Sequence, residues 1–168
     1  MPGAHISVAH QYLTFHLENE LYAVDVKGVR EVLEVPKITK IPRMPAFMKG
    51  VINLRGSVVP VIDLRLKLEL PDTQQTEETS IIILEIGHLD EELMVGAFVD
   101  SVSEVIEIEQ ESIEPAPKFS TSINTEFIQG IGKLNEEFII ILNTARVFSE
   151  EELGILSSAN REAPEEEA

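Results

Sequence analysis

With 168 residues, 43% of them hydrophobic, the chain is long enough for one domain or for two small halves that share a core, and too apolar for bulk disorder. It contains no cysteine, which excludes disulfides, thiolate metal sites and thiol nucleophiles. No signal-peptide pattern opens the sequence and no apolar run approaches the roughly 20 residues that span a bilayer. We therefore expect a cytoplasmic protein without direct membrane insertion.

The formal net charge of −17 is distributed unevenly. Residues 1–70 hold nine Lys and Arg against seven Asp and Glu, a net +2, whereas residues 71–168 hold four against 23, a net −19. The second half would repel a phosphate backbone, so nucleic acid is not an expected partner. A solvated surface explains the imbalance most simply, and two halves that face partners of different charge are the more specific interpretation.

The first half contains five predicted strands, identified by alternating or β-branched residues. Residues 1–9 lack this periodicity and are predicted to be flexible. Residues 46–49 fit a single helical turn closed by Gly50, and a later hairpin turns at Arg55-Gly56, where glycine accepts a positive φ. The predicted strands cover residues 12–17, 21–26, 30–35, 51–54 and 58–62.

The second half repeats this order after a polar boundary at residues 72–79. Its last hairpin turns at Asn135-Glu136, and Asn143 or Thr144 can cap a C-terminal helix that runs to about residue 156. Residues 157–168 are predicted to form a disordered acidic tail. The predicted strands cover residues 80–86, 93–99, 104–108, 127–134 and 138–142.

Two blocks of the first half recur in the second. Residues 45–64 are echoed by residues 125–144, where Phe, Gly and Leu coincide at three of the twenty columns, and residues 28–35 are echoed by 101–108. The chain is therefore built twice from one plan, with halves of about 10–75 and 76–156. Two sets of five short strands predict an all-β fold of two small barrels that lean on each other.

No constellation of catalytic residues is visible. The four histidines lack metal-ligand spacing with a third ligand, the carboxylates lie in solvated runs, and no nucleophile-elbow or phosphate-binding glycine motif is present. Aromatic and basic residues do not alternate as in a stacking platform for single-stranded nucleic acid. The sequence therefore predicts a docking platform with no catalytic residues, metal or cofactor.

Glu31 and Arg55 are the most informative charged positions. Each lies in an echoed block, but Glu104 repeats the glutamate whereas Asn135 replaces the arginine. We therefore expect that the first half, unlike the second, requires the positive charge of Arg55. We interpret the two residues as a bidentate, partly buried ion pair that fixes a hairpin at a binding surface, since an exposed pair contributes only about 0–1 kcal/mol.

A Phe-x-Lys-Gly-x-x-Asn-Leu-Arg-Gly segment lies at residues 47–56 and is followed by Val-Pro-x-x-Asp-Leu at residues 59–64. Through these motifs the chain resembles the CheW-like family, over about residues 10–150. Segments near residues 12–15, 22–32, 79–84, 95–105 and 128–134 continue it. It identifies residues 10–156 as one CheW-like domain.

The resemblance implies two intertwined five-stranded SH3-like barrels, with short helical turns and a C-terminal helix. It also implies a non-catalytic adaptor that couples the cytoplasmic tips of chemoreceptors to the chemotaxis histidine kinase, through the CheW-like regulatory domain of that kinase, in membrane-associated arrays. The implied receptor-binding residues are Val29, Glu31, Lys49, Gly50, Arg55 and Gly56. The looser kinase-binding candidates are Ser80, Ile81 and Ile82, interpreted as an edge strand.

Some family members serve gliding, twitching or second-messenger pathways, so a non-flagellar chemosensory adaptor is the alternative. A nucleic-acid-binding β-barrel is the less favoured one. The resemblance implies no particular receptor, kinase or behaviour, and it does not extend to the acidic tail.

Overall fold

The computed structural model describes residues 9–115, 126–159 and 161–162. Its first half contains five strands and one helical turn, α1 (Leu64–Lys67), which directly follows the fifth strand. Short 3₁₀ turns cover Val26–Gly28, Gln110–Ser112 and Thr144–Arg146. The strands are β1 (Ala9–Leu17), β2 (Glu20–Asp25), β3 (Val29–Glu34), β4 (Met48–Leu54) and β5 (Ser57–Asp63).

The second half contains five further strands, one helix and a short final strand. The helix, α2 (Glu150–Ala159), is followed by β11 (Arg161–Glu162). The five strands are β6 (Ser80–His88), β7 (Glu91–Val99), β8 (Ser101–Glu109), β9 (Ile128–Leu134) and β10 (Glu137–Leu142). The all-β prediction and the positions of the ten strands are confirmed.

The two halves exchange their first hairpins. One sheet has the order β8-β1-β2-β10-β9, and the other has the order β11-β5-β7-β6-β3 with β4 paired to β5. Hairpin β1–β2 of the first half therefore completes the strands of the second half, and hairpin β6–β7 completes those of the first. In each sheet the inserted hairpin meets the other half through one parallel pairing, β2 with β10 or β7 with β5, and through one antiparallel pairing, β1 with β8 or β6 with β3. This is the intertwined architecture that the family resemblance implies.

Alternation along the strands explains how both faces of each sheet become buried. In β6, Ile81 and Ile83 pack inside one barrel, whereas Ile82 and Leu84 enter a core shared by both sheets and α2. In β1, Tyr12 lies inside the other barrel and Phe15 lies in the shared core. Sheets covered on both faces need continuous Ile- and Val-rich runs, and this chain supplies them.

At Gly50 the backbone of β4 lies unusually close to the backbone of Thr39, a contact that the sequence analysis did not predict. Gly50 lies within β4 at φ +147°, where a Cβ atom would stand 2.8 Å from the carbonyl carbon of Thr39 and closer still to its oxygen. Thr39 pairs with Val51 through two backbone hydrogen bonds of 2.9 and 2.8 Å. The predicted helical turn closed by Gly50 is therefore wrong, because glycine here admits a crossing segment rather than ending a helix.

The second half repeats this arrangement at Gly130. A Cβ atom at this position would lie 2.8 Å from the carbonyl oxygen of Glu114, which pairs with Ile131 through backbone hydrogen bonds of 3.0 and 2.7 Å. A segment thus folds back over the last hairpin of each half. The repeat in the sequence therefore reproduces a specific backbone contact as well as a strand order.

The C-terminal helix starts later than predicted. Asn143 caps the 3₁₀ turn, through an Ala145 N–H that donates to its Oδ1 at 3.0 Å, whereas α2 starts after Ser149. Ser149 and Glu152 form a capping box with bonds of 2.9 and 3.1 Å. Buried side chains then attach one face of the helix to the shared core; these are Leu153, Leu156 and Ala159.

The terminal boundaries also differ from the prediction. Residues 157–159 complete α2 and residues 161–162 pair with β5, so the prediction of a disordered tail from residue 157 is wrong for these residues. The physical reason is that Ala159 is apolar enough to finish the buried stripe of the helix. Ala9 already belongs to β1, and the predictions for residues 1–8, 160 and 163–168 fall outside the described residues.

We expect Gly50→Ala to lower the free energy of unfolding by about 2–4 kcal/mol, because the added methyl group meets backbone atoms and the φ value is strained. Gly154→Ala is the matched control: it lies in α2 with no neighbour within 4 Å of an added Cβ. It should raise the free energy of unfolding by about 0.5–1 kcal/mol. Urea unfolding measures both, and equal stability of the two variants would contradict this explanation.

Candidate functional site

The β4–β5 hairpin presents Arg55 at its tip. Arg55 and Gly56 form a two-residue turn with φ values of 50° and 91°, the positive pair that suits a tight hairpin. The Gly56 N–H donates to Oδ1 of Asn53 at 2.8 Å, which holds the turn. The hairpin predicted at Arg55-Gly56 is confirmed, and the projecting arginine is the most accessible cation of this segment.

Arg55 reaches across to β3 and pairs with Glu31. Nη2 of the guanidinium donates to Oε2 of the carboxylate, and the two side chains are 67% and 26% exposed. The expected partnership between these positions is therefore present. The bidentate, partly buried form is wrong, because the guanidinium meets the carboxylate through one nitrogen and projects into solvent.

Two further receptor-binding candidates adjoin this pair. Val29 is the first residue of β3 and is half-buried against the shared core; a register shift in this strand places it opposite Leu84, whereas Glu31 lies opposite Ile83. Gly56 follows Arg55 and has open space around its Cα, since no atom lies within 4 Å of an added Cβ. We call Val29, Glu31, Arg55 and Gly56 the tip surface.

The other two receptor-binding candidates lie at the opposite end of β4. Lys49 is half-buried, and its Nζ stands 4.4 Å from the centroid of the Phe98 ring, a cation–π contact. Gly50 is buried against Thr39 and presents no side chain. The six predicted residues thus separate into four near the hairpin tip, of which Arg55 and Gly56 are exposed and Val29 and Glu31 half-buried, and two at the far end of β4 with structural contacts of their own.

The kinase-binding candidates do not form an edge strand. β6 lies between β7 and β3, with Ile81 opposite Phe98 on one side and opposite Leu33 on the other. The side chains of Ile81 and Ile82 are buried, and that of Ser80 is half-buried. The expectation of an edge strand is wrong because β3, from the first half, pairs with β6 and covers this edge.

A cleft of about 570 Å³ beside Lys49 is the roomiest pocket described around the candidate residues. Its polar wall includes Asp63, whose carboxylate is buried and accepts three hydrogen bonds. The donors are the Arg65 N–H at 3.1 Å, the Thr73 N–H at 3.0 Å and the Thr73 hydroxyl at 2.8 Å. Asp63 is therefore committed to holding the chain after β5 rather than to acid–base chemistry.

Neither metal chemistry nor a membrane span is indicated in the parts of the chain that the structure describes. Within residues 9–115 and 126–159, no cluster of three or more His, Asp and Glu side chains could hold a metal ion. Nor is any helix in the described ranges long and apolar enough to cross a membrane.

The sequence analysis did not predict the bidentate, largely buried ion pair between Arg65 and Asp100. Nε and Nη2 of Arg65 both donate to the Asp100 carboxylate, the first at 2.8 Å, and the side chains are only 14% and 21% exposed. The hydrogen bonds that Arg65 donates to the Asp100 carboxylate raise the pKa of Arg65, so the cation stays charged. Oδ2 of Asp100 also accepts from the Glu18 N–H at 3.0 Å, which connects α1, the β1–β2 turn and the end of β7.

Comparison with known proteins gives consistent results. The family model described as a CheW-like domain matches residues 11–152. The protein named Chemotaxis protein CheW from Klebsiella aerogenes is 37% identical over 152 residues, covering 90% of this chain and 89% of its own length. The Bacillus subtilis protein of the same name is 33% identical over 148 residues, covering 88% and 92%.

A solved structure has the same fold. The scaffolding protein TtCheW from Thermoanaerobacter tengcongensis superposes with a TM-score of 0.75 at 39% sequence identity, covering 86% of this chain and 97% of that one. The similarity therefore extends over both exchanged halves rather than over one barrel.

We expect the two arginine pairs to differ in their contribution to stability. Arg65→Ala should lower the free energy of unfolding by about 2–3 kcal/mol, because it leaves the Asp100 carboxylate partly buried and unpaired. Arg55→Ala should lower it by about 0–1 kcal/mol, because the pair at the hairpin tip is exposed. Chemical unfolding of both variants checks this order, and a larger loss for Arg55→Ala would contradict it.

Proposed function

The chain belongs to the CheW-like family, whose members are non-catalytic scaffolds, and we propose that it couples chemoreceptors to the chemotaxis histidine kinase. In this proposal the tip surface receives the cytoplasmic tip of the receptor, and a separate surface binds the CheW-like regulatory domain of the kinase. The chain is thereby recruited from the cytoplasm to membrane-associated receptor arrays.

The observation that carries the receptor proposal is the exposed guanidinium of Arg55. Its partner Glu31 occupies one nitrogen and leaves donors directed to solvent at the end of a rigid hairpin. Arginine in such a position favours bidentate binding of a carboxylate. We infer that the receptor presents an acidic group to Arg55 and small or apolar groups to Gly56 and Val29.

Lys49 and Gly50 have a supporting role in this proposal. Gly50 keeps β4 against the Thr39 segment, and Lys49 is held over Phe98, so both fix the base of the hairpin that carries Arg55. Kinase contact at Ser80, Ile81 and Ile82 stays a prediction, and burial of the two isoleucine side chains leaves Ser80 as the one that a partner reaches.

Arg55→Asn tests the receptor site with little disturbance of the fold. Asparagine is the residue at the equivalent tip, Asn135, where φ is 51°, and it accepts the φ of 50° at residue 55. The variant should fold normally but bind receptor-bearing membranes about 10- to 30-fold more weakly, the loss typical of a central interface arginine. Co-sedimentation with such membranes measures the affinity.

Lys133→Ala is the matched control, since Lys133 is an exposed cation on the equivalent hairpin of the other half. It removes one positive charge and should leave receptor binding within twofold of the unmodified protein. Equal weakening by both substitutions would indicate a general charge effect and would contradict the proposal that the tip surface binds the receptor.

Reconstitution with receptor and kinase tests the coupling itself. Addition of the chain should make autophosphorylation of the kinase respond to the receptor, and Arg55→Asn should reduce that response without changing the rate of the kinase alone. If no cognate receptor–kinase pair responds to the unmodified chain, the coupling function is wrong even though the fold is that of a scaffold.

A further inference from the structure

Leu89 places an apolar side chain in solvent at the tip of the β6–β7 hairpin. It forms the turn with Asp90, at φ values of 51° and 64°, and is 79% exposed. Such a turn favours asparagine or glycine at its first position, because a bulky side chain is disfavoured in the left-handed region. Leu89 is therefore unfavourable at this position both in its backbone conformation and in its exposure to water.

Carboxylates surround this apolar side chain. Residues 90–92 follow it directly, are all Asp or Glu, and are exposed. Glu150, the first residue of α2, lines the same surface with a side chain that is 88% exposed. Because β6 and β7 stay paired up to His88 and Glu91, the tip is held rigidly. We call Leu89, residues 90–92 and Glu150 the acidic knob.

The cleft of about 570 Å³ beside Lys49 has the complementary properties. Its cations are Lys40 and Lys49, and residues 35–49 as a whole carry four Lys and Arg and no Asp or Glu. The carboxylate of Asp63 is occupied by its three hydrogen bonds, and Asp72 is outnumbered by these cations. The apolar part of the wall includes Val35, Ile38, Ile41 and Met48.

Strand registers place the acidic knob and the cleft at opposite ends of one sheet. At the cleft, Asp63 lies opposite Phe98, which lies opposite Ile81 near the start of β6. The knob follows His88 at the other end of β6, roughly 23 Å away at about 3.3 Å per residue. The knob therefore cannot enter the cleft of its own molecule, and an occupant from this chain has to be a second copy.

We propose that the acidic knob of one molecule enters the cleft of a second copy of this chain. Leu89 then meets the apolar wall, and residues 90–92 meet the cations of residues 35–49. The uneven charge of the two halves favours this pairing of unlike surfaces over a contact between like surfaces. The contact is head-to-tail, so every pair keeps one free knob and one free cleft, and further copies can add.

Sedimentation equilibrium of the isolated protein over a wide concentration range tests the role of Leu89. The mass of the unmodified protein should rise with concentration and should not stop at that of a dimer. Leu89→Asn should weaken the association at least about tenfold, as expected for loss of a central apolar anchor. Its urea midpoint should stay the same or rise, because asparagine suits the left-handed turn. The matched control is Phe138→Thr, which removes another exposed apolar side chain from the other sheet and should leave the association unchanged.

Charge reversal tests the cleft. Lys40→Glu should also weaken the association at least about tenfold, because it places a carboxylate against those of the acidic knob. Lys133→Glu makes the same change of charge at an exposed site on the other sheet and should have little effect. Equal weakening by both reversals would overturn the cleft as the place of contact.

A mixture of the two variants tests whether the contact joins unlike surfaces. Leu89→Asn keeps its cleft and Lys40→Glu keeps its knob, so an equimolar mixture should form one-to-one pairs that do not grow further. A mixture as monomeric as its components overturns the proposal, as does an unmodified protein that stays monomeric at every concentration. The inference is independent of the proposed function: self-association without any receptor–kinase response would overturn the coupling and support this contact.

Discussion

The parallel pairings that join each exchanged hairpin to the other half are the constraint on which this structure depends. β2 pairs with β10 at residues more than a hundred positions apart, and β5 pairs with β7 across the boundary between the halves. Neither sheet is complete until strands from both halves are present. Such non-local pairing makes folding slow and cooperative, and it prevents either half from acting as an independent barrel. The hairpins of the two halves are thereby held in a fixed relation.

The same backbone hydrogen bonds recur in both halves, so the two halves differ mainly in their side chains. The Asp63 N–H donates to the Phe47 carbonyl at 2.7 Å, and the Asn143 N–H donates to the Phe127 carbonyl at 2.8 Å, eighty residues later. Both hairpin tips have two residues at positive φ. What differs is the side chains at the tips, which are Arg55-Gly56 in the first half and Asn135-Glu136 in the second. The two tips therefore have similar backbones and opposite charge.

The sequence predicted local features well and long-range partners poorly. Period-two alternation identified the ten strands, and the Arg55-Gly56 and Asn135-Glu136 turns were recognisable from their residues. Strand exchange could not be deduced from periodicity, which fixes which face is buried but not which strand is adjacent; the family resemblance supplied it. Gly50 was misinterpreted because glycine serves equally to end a helix and to admit a crossing backbone. The pairing of Arg65 with Asp100 depends on that exchange, and no local pattern marks it.

The two arginines show how stability and binding are separated in this scaffold. Arg65 is largely buried and makes two hydrogen bonds to Asp100, so its removal leaves a desolvated carboxylate. Arg55 makes one exposed contact, which contributes little to the free energy of unfolding. An external carboxylate can therefore replace Glu31 with little loss of stability. In the proposed function, this exposed contact lets Arg55 exchange partners without loss of the fold. It suits reversible docking better than the bidentate, partly buried pair with Glu31 that the sequence predicted.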